Sequence, residues 1–553
     1  MDERWYKRAV VYSVEVDAFQ DSNGDGVGDL RGLISRLDYV SRLGATCLWL
    51  NPVHPTPLRD EGYDITDYYA VDPRLGTLGD FVDLVDAAGD RGMRVLLDLV
   101  INHTSIEHPW FQSARRDRNS PYRDWYVWSQ SRPKAQHEGI VFPGAQTETW
   151  TYDDAAEAWY FHRFYDFEPE LNHANPAVRE EMRKIMAFWL RLGVAGFRLD
   201  AAPFVIEQPH PDSAKSDRDY TLLDDLRTWT SWRRGDAAIL AEANVPDDEL
   251  PLFTGRTPGA DDRMHLLFNF RLNARLLLAL ARGKVEPVEW ALRTSPALPQ
   301  TAQWVTFIRN HDEADLSALS DAERDEVFAA FAPDEDMRLY GRGIRRRLAP
   351  MLGGDRRRLE LAYSLQFTMP GTPVVRYGEE IGMSDDLALP ERNSIRTPMQ
   401  WSDARNAGFS TADPSALIRP VVDDPQFGPK QVNARDQCRR PDSLLAWFET
   451  LLRTLRECPE IGQNRCDVLD SGHPAVLAHR FSGPAGEMLF LHNLGSEAVT
   501  VRIAGQLDAV DQPFEAFADG DYGELDPSLR ELRVDGCGYR WIRVRFTPSP
   551  PPG

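Results

Sequence analysis

Nowhere in this sequence do about eighteen apolar residues run together, the length a membrane-spanning helix needs. The N-terminal MDERWYKRAV also lacks the apolar core of a secretory signal, so a cytoplasmic protein without membrane contact is expected. Cysteine is scarce. Cys47, Cys438, Cys458, Cys466 and Cys537 are odd in number, scattered and free of C-x-x-C spacing, which argues against a disulfide framework or a zinc cluster. Basic charge is in deficit: 63 Lys and Arg face 86 Asp and Glu, a formal net charge of −23 that excludes a nucleic-acid surface. The run RRR at 345–347 sits in a helix-like stretch with acids nearby and is expected on a solvated or salt-bridged face. No G-x-G-x-x-G or phosphate-binding loop follows any predicted strand, which weighs against an open dinucleotide-binding sheet.

What the chain does contain is an alternation. Eight short apolar runs are separated by longer stretches of helical periodicity: AVVYSVEV from Ala9, TCLWLNP from Thr46, RVLLDLV from Arg94, GFRLDAA from Gly196, AAILAEA from Ala237, LLFNF from Leu266, WVTFIRN from Trp304 and TPVVRYG from Thr372. Near-continuous apolar strands alternating with helices predict parallel pairing buried on both faces, and eight of them predict a closed (β/α)8 barrel of the α/β class. About seventy residues separate the third strand from its helix, and a second excursion separates strands seven and eight. The expected organisation is barrel over 1–102, an inserted domain over 103–174, barrel with a subdomain over 175–461, and a C-terminal β-sandwich over 462–553. The tail PSPPPG is expected to be disordered.

Asp98, Asp200, Glu242 and Asp312 fall at the C-terminal ends of predicted strands, where barrel enzymes build their sites. One acid after a strand is more often a helix cap; several that converge are not. Arg198 lies two residues before Asp200, on the same side of its strand, and should keep that carboxylate ionised. Ala241 and Ala243 give Glu242 apolar neighbours that raise its pKa, whereas that of Asp200 is expected to stay unraised, which leaves one protonated and one ionised carboxyl.

The stretches DLVINH, GFRLDAA, ILAEANV and FIRNHD, in this order and spacing, resemble the conserved regions of the α-amylase superfamily of retaining glycoside hydrolases and transglycosidases. That resemblance implies Asp200 as nucleophile, Glu242 as general acid/base and Asp312 as the acid that holds the sugar hydroxyls. It implies His103, Arg198 and His311 in the first sugar subsite and a structural role for Asp98. By likeness to the exo-acting branch, Asp60 and Tyr63 hold the terminal glucose, and Arg396, before TPMQW, closes the pocket. The resemblance extends over nearly the whole chain to the trehalose synthase branch, through WFQSARRDRNSPYRDWYVWS, HRFYDFEPELN, FAPDEDMRLYGRGIRRRLAPML and RTPMQWSDARNAGFS. Two departures stand out: VIEQPHPDSAKSDRDYTLLDD replaces a longer acidic loop, and the branch's QPDLN is here Glu168-Pro-Glu-Leu-Asn.

These resemblances imply a small α-glucoside as substrate and isomerisation of maltose to trehalose, with an α-glucosidase or transglucosidase as the alternative. A non-catalytic sugar-binding relative is the remote third, since such relatives usually lack a catalytic acid. The assembly state is left open, a homo-oligomer included. The stretch DSNGDGVGD from Asp21 is no EF-hand, because the twelfth position is Gly32 and not Glu. Its oxygens, from Asp21, Asn23, Asp25, the Val27 carbonyl and Asp29, resemble the structural calcium turn of these branches. A second calcium is implied at Asn102, Glu170 and Glu207.

Overall fold

The computed structural model describes residues 4–255, 262–462, 465–484, 486–507 and 510–546. All eight expected barrel strands form: β1 (Val11–Val14), β2 (Cys47–Leu50), β3 (Arg94–Leu99), β4 (Gly196–Leu199), β5 (Ala238–Ala241), β6 (Leu266–Phe268), β7 (Gln303–Thr306) and β8 (Thr372–Arg376). They pair in sequence order, all parallel, and β1 meets β8 at Val11 and Val374 to close the ring. Alternate residues go to opposite sides of the barrel wall. Val11, Trp49, Leu96, Leu240, Phe268 and Val374 fill the interior, while Tyr12, Leu48, Leu97, Phe197 and Ile239 pack outward in the core that takes in the helices. Because both faces are buried, the strands are apolar throughout. Gly196 is where the wall comes closest, for a Cβ there would stand 1.9 Å from the Ala238 carbonyl oxygen.

Two residues beyond the inward Leu96, Leu240 and Val374, the same parity brings Asp98, Glu242 and Arg376 to the C-terminal rim. Arg198 is in register with both Asp98 and Leu240. The rim is thus polar because the apolar layers stop there.

Between β3 and helix Pro176–Arg191 lies a domain with a three-stranded sheet, Trp128–Ser129, Ala158–Phe161 and Trp150–Asp153, tied to the barrel by the bridge His103–Glu170. Between β7 and β8, helix Asp321–Phe331 and a small sheet form the subdomain. The C-terminal region is a five-stranded antiparallel sheet facing a two-stranded one, with Val476, Leu489, Ile542, Val501 and Val534 in a common core. Its other face docks on helix Arg356–Phe367, where Trp541 Nε1 donates to Ser364 Oγ at 2.9 Å.

Two features depart from expectation. The Arg345–Arg347 run is salt-bridged, as one of the two alternatives had it, but not on a face: Arg346 pairs with Asp385 at 3.5 Å, and Arg347 is fully buried, donating to the Tyr377 and Ile395 carbonyls and pairing with Glu379 at 3.1 Å. It precedes the short helix Leu348–Met351 instead of lying on a helix surface. The replaced acidic loop forms a hairpin, Glu207–His210 with Ser213–Arg218, that its polar, Pro-containing sequence did not announce. Among the described residues all five cysteines are free.

Candidate active site

Arg198 organises the rim. One arm of its guanidinium, Nη1, bonds the Asp200 carboxylate; the other, Nη2, donates to Glu242 Oε2 at 2.7 Å. The two carboxylates thus share one guanidinium. Directly after Asp200, Ala201 takes a left-handed backbone (φ 49°), unusual for a residue with a side chain, and its N–H donates to Glu242 Oε2 at 3.1 Å. The turn therefore couples Asp200 and Glu242 through the backbone as well.

Burial raises both carboxyls. Glu242 is pushed to about 7, with Asp200 and Asp312 adding to the effect against Arg198. Asp200 is pushed to about 6, because burial, Asp98 and Asp312 outweigh the arginine. The expectation that only Glu242 would be raised is corrected on this point, since Arg198 is shared between the two and favours neither alone. The order survives, with Asp200 the more acidic. With Asp200 acting as nucleophile and Glu242 as acid, the roles the family resemblance implies, kcat/KM should rise through pH about 6 and fall through pH about 7. A pH series on any accepted α-glucoside checks this; a flat profile from pH 5 to about 9 would contradict the assignment.

Asp312 is the opposite case: His311, Arg392 and Arg396 overcome its burial and hold it well below the usual carboxylate range. Arg392 donates to Asp60 at 2.6 Å and to Asp312 at 3.1 Å, so it ties these two acids of the cavity wall together. The sequence pointed to Arg396 as the pocket-closing residue. It lies one layer behind instead, 1% exposed, bonded to Asp312, Glu61 and the His311 carbonyl, while Arg392 lines the cavity. Tyr63 stacks on His311 at 5.7 Å and donates to Asp98, which also accepts from Trp49 Nε1. Asp98 thus orients its neighbours from below. His103 lines the cavity with its Nε2 3.6 Å from the buried Glu168, and burial lowers its pKa to about 4, so its ring is neutral.

Over these groups lies a roof. Phe142 and Phe164 of the inserted domain, Ala201, and Tyr340 of the subdomain form one apolar cluster. Tyr165 and Tyr340 both bond Glu391, at 2.7 and 3.0 Å, and Arg342 Nη1 reaches the Val141 carbonyl at 2.7 Å. The cavity beneath measures about 440 Å³ and is lined by Asp60, Tyr63, Asp200, Glu242, Asp312 and Arg392 among others. Phe142, Tyr340, Arg342 and Arg392 carry no local sequence signal for this role, because their partners lie far away in the chain.

The family model described as alpha amylase, catalytic domain, matches residues 14–330 and 345–463. The chain belongs to the alpha-amylase family. The break in the match, 331–344, falls on the subdomain that supplies Tyr340 and Arg342 to the roof. Within the family the chain is a homologue of trehalose synthases. It is 40% identical to the trehalose synthase/amylase TreS of Mycobacterium tuberculosis over 98% of this chain and 91% of that protein. It is 37% identical to the trehalose synthase of Pimelobacter sp. over 98% and 96%. A crystal structure of the trehalulose synthase MutB, 25% identical, superposes with a TM-score of 0.78, covering 98% of this chain and 100% of that one.

The residues that the family resemblance offers to calcium are bonded internally. Asp21 accepts from the N–H groups of Asn23, Gly24 and Gly26, and Asp29 caps helix Leu30–Leu43 through Gly32 N–H. Asn23 and Asp25 are exposed and bond each other at 3.0 Å. Elsewhere, Asn102 Oδ1 is buried without a partner, and Glu170, raised to about 8 by burial, accepts from Asn102 Nδ2 at 3.3 Å. Glu207 is already bound to Arg163 at 2.6 Å and Arg218 at 3.2 Å. Among the described residues no three His, Cys, Asp or Glu side chains are gathered closely enough to hold a metal ion.

Proposed function

We propose that this family member isomerises maltose to trehalose by retaining glucosyl transfer. The observation that carries the reading is the Arg198-linked pair of Asp200 and Glu242 beneath a roof made by two separate insertions, in a homologue of trehalose synthases. With maltose bound, Asp200 attacks the anomeric carbon of the terminal glucose while Glu242 gives its proton to the bridging oxygen. Free glucose departs and a glucosyl ester remains on Asp200. The glucose turns, presents its anomeric hydroxyl, loses that proton to Glu242 and displaces Asp200 to give trehalose. Tyr63 and the Asp60–Arg392–Asp312 group would hold the glucosyl unit meanwhile.

Water attacking the ester would instead release two glucoses. The roof would have to oppose this by keeping water from the ester, and the altered stretch 205–225 contributes no residue to the cavity wall. Purified protein given maltose should yield trehalose as the main product with a minor release of glucose, separable by chromatography. Glucose dominant from the first minutes would assign the chain to the α-glucosidases.

Calcium belongs to the same reading. Hard oxygen donors on Asp21, Asn23, Asp25 and Asp29 within one short loop suit a hard cation, and the exposed Asn23 and Asp25 leave a way in. A second ion at Asn102 and Glu170 would satisfy the orphaned Asn102 Oδ1, but Glu207 joins only if Arg163 releases it. Calcium at a hundred times its dissociation constant should stabilise the fold by about 2.7 kcal/mol. Chelation should lower Tm and Asp21→Ala with Asp25→Ala should abolish the response; a melting curve indifferent to both chelator and calcium would end the proposal. A cytoplasmic location fits the reading, and among the described residues no helix is long and apolar enough to cross a membrane.

A further inference from the structure

Glu168 is where this chain leaves the QPDLN pattern of its branch, and no step of the reaction proposed above uses it. It is fully buried, and among the described residues no arginine or lysine pairs with it. One carboxyl oxygen, Oε2, accepts from the Tyr165 N–H at 3.3 Å, whereas the other, Oε1, has no hydrogen-bond partner. Oε1 stands 3.6 Å from His103 Nε2, which is also buried and without a hydrogen-bond partner. Two polar atoms out of water therefore face each other just beyond bonding distance, and leaving both unpaired is costly. The backbone builds this juxtaposition. Residues 102–104 and 169–171 are laced together by Leu171 N–H to the Asn102 carbonyl at 2.8 Å, by Thr104 N–H to the Pro169 carbonyl at 3.2 Å, and by the bridge His103–Glu170. Phe164 meets the His103 ring edge to face, with centroids 5.4 Å apart. His103 thus lines the catalytic cavity with a ring that Phe164 and Glu168 support, while Glu168 itself does not reach the cavity wall.

We propose that Glu168 is a positioning residue for the glucosyl unit and acts through His103: when the sugar is seated, the imidazole closes onto the Glu168 carboxyl and is held there. This rests on the glucosyl reading of the cavity given above. Hydrogen bonds in unliganded sites are often long and tighten in the complex. A carboxyl and an imidazole can share one proton in either direction, so a movement of about half an ångström makes the bond. The ring is then fixed at two places, by Phe164 and by Glu168, and presents itself to the sugar in one orientation. The glutamine of the branch pattern has an amide that can make the same contact, which makes Glu168→Gln the conservative variant.

The test is a double-mutant cycle in the full chain carrying Asp200→Asn, so that maltose binds without turnover and its affinity is read by calorimetry. Glu168→Leu should weaken maltose binding about tenfold, and Glu168→Gln should keep it within about threefold of the parent. In a His103→Ala background Glu168→Leu should cost nothing further, because its effect passes through the imidazole. Additive losses would overturn the proposal, as would a Glu168→Leu chain that binds maltose like its parent. Glu168→Gln keeps the side-chain shape and gives a second readout that does not depend on how the leucine variant folds. The ring-nitrogen NMR signals of His103, identified by their loss in His103→Ala, should move on addition of maltose, and by a different amount in Glu168→Gln than in the parent. Identical movements in the two chains would also overturn it. Because binding is measured and not product, a hydrolytic outcome with maltose would defeat the isomerase reading while leaving this result interpretable.

Discussion

Asp200→Asn should reduce turnover of every accepted α-glucoside by roughly 10⁴-fold or more, with circular dichroism and oligomeric behaviour unchanged. The amide keeps the side-chain shape and one partner for Arg198 but cannot form the glucosyl ester. Glu242→Gln should cost less, about 10²- to 10⁴-fold, because it removes proton transfer and leaves the nucleophile. The two losses differ in kind. A glucosyl donor with an acidic leaving group, such as a nitrophenyl α-glucoside, needs no proton from Glu242, so the first step of Glu242→Gln should recover on it. Asp200→Asn should stay inactive. Recovery of Asp200→Asn, or near-native activity of either variant on maltose, would exchange or abolish the roles given to these residues.

The second large effect is expected at Arg392. Its guanidinium spans Asp60 and Asp312, both largely buried, at 2.6 and 3.1 Å. Removing one partner of a buried ion pair leaves the other charge uncompensated, a cost of about 3–5 kcal/mol. Arg392→Ala should thus lower Tm, and, by leaving the Asp60 and Asp312 carboxylates unheld in the cavity, should separately lower kcat/KM by about 10²- to 10³-fold, with most of the change in KM if the group holds the sugar before and during reaction alike. Arg392→Lys keeps the charge but not the fork that reaches two carboxylates, and should recover only part of the loss. Arg396→Lys provides the comparison, since that residue bonds Asp312 from outside the cavity. If Arg396→Lys impairs substrate binding more than Arg392→Lys does, the assignment of Arg392 to the cavity wall is mistaken.

The barrel was legible in the sequence because parallel strands buried on both sides are written as uninterrupted apolar runs, as in VLLDLV and AILA. The rim acids were legible for a related reason. Asp98 and Glu242 continue the inward parity of Leu96 and Leu240, so a strand once placed also places its rim carboxylate. Neither argument reaches the groups that cover the site. Arg392 and Tyr340 belong to loops without periodicity, and their partners Asp60 and Tyr165 lie 332 and 175 residues away. Arg347 illustrates a different limit. Three adjacent arginines suggested a wet surface, yet carbonyls of Tyr377 and Ile395 make an interior position for one of them, and carbonyls supplied by tertiary folding leave no trace in composition. The hairpin at 207–218 was hidden because its strands have no apolar face to alternate.

The seam between β1 and β8 bears on how the protein is made. Val11 and Val374 pair across it, so the partner of the first barrel strand is synthesised 363 residues later, 374 less 11. At ~5–20 residues per second, roughly 20–70 s pass between their emergence from the ribosome. Throughout that interval the nascent barrel is an open sheet whose leading edge has unpaired backbone groups and apolar residues on both sides, the kind of edge that recruits other chains. The free edge of the N-terminal strand therefore stays without its closing partner until the last barrel strand has been made.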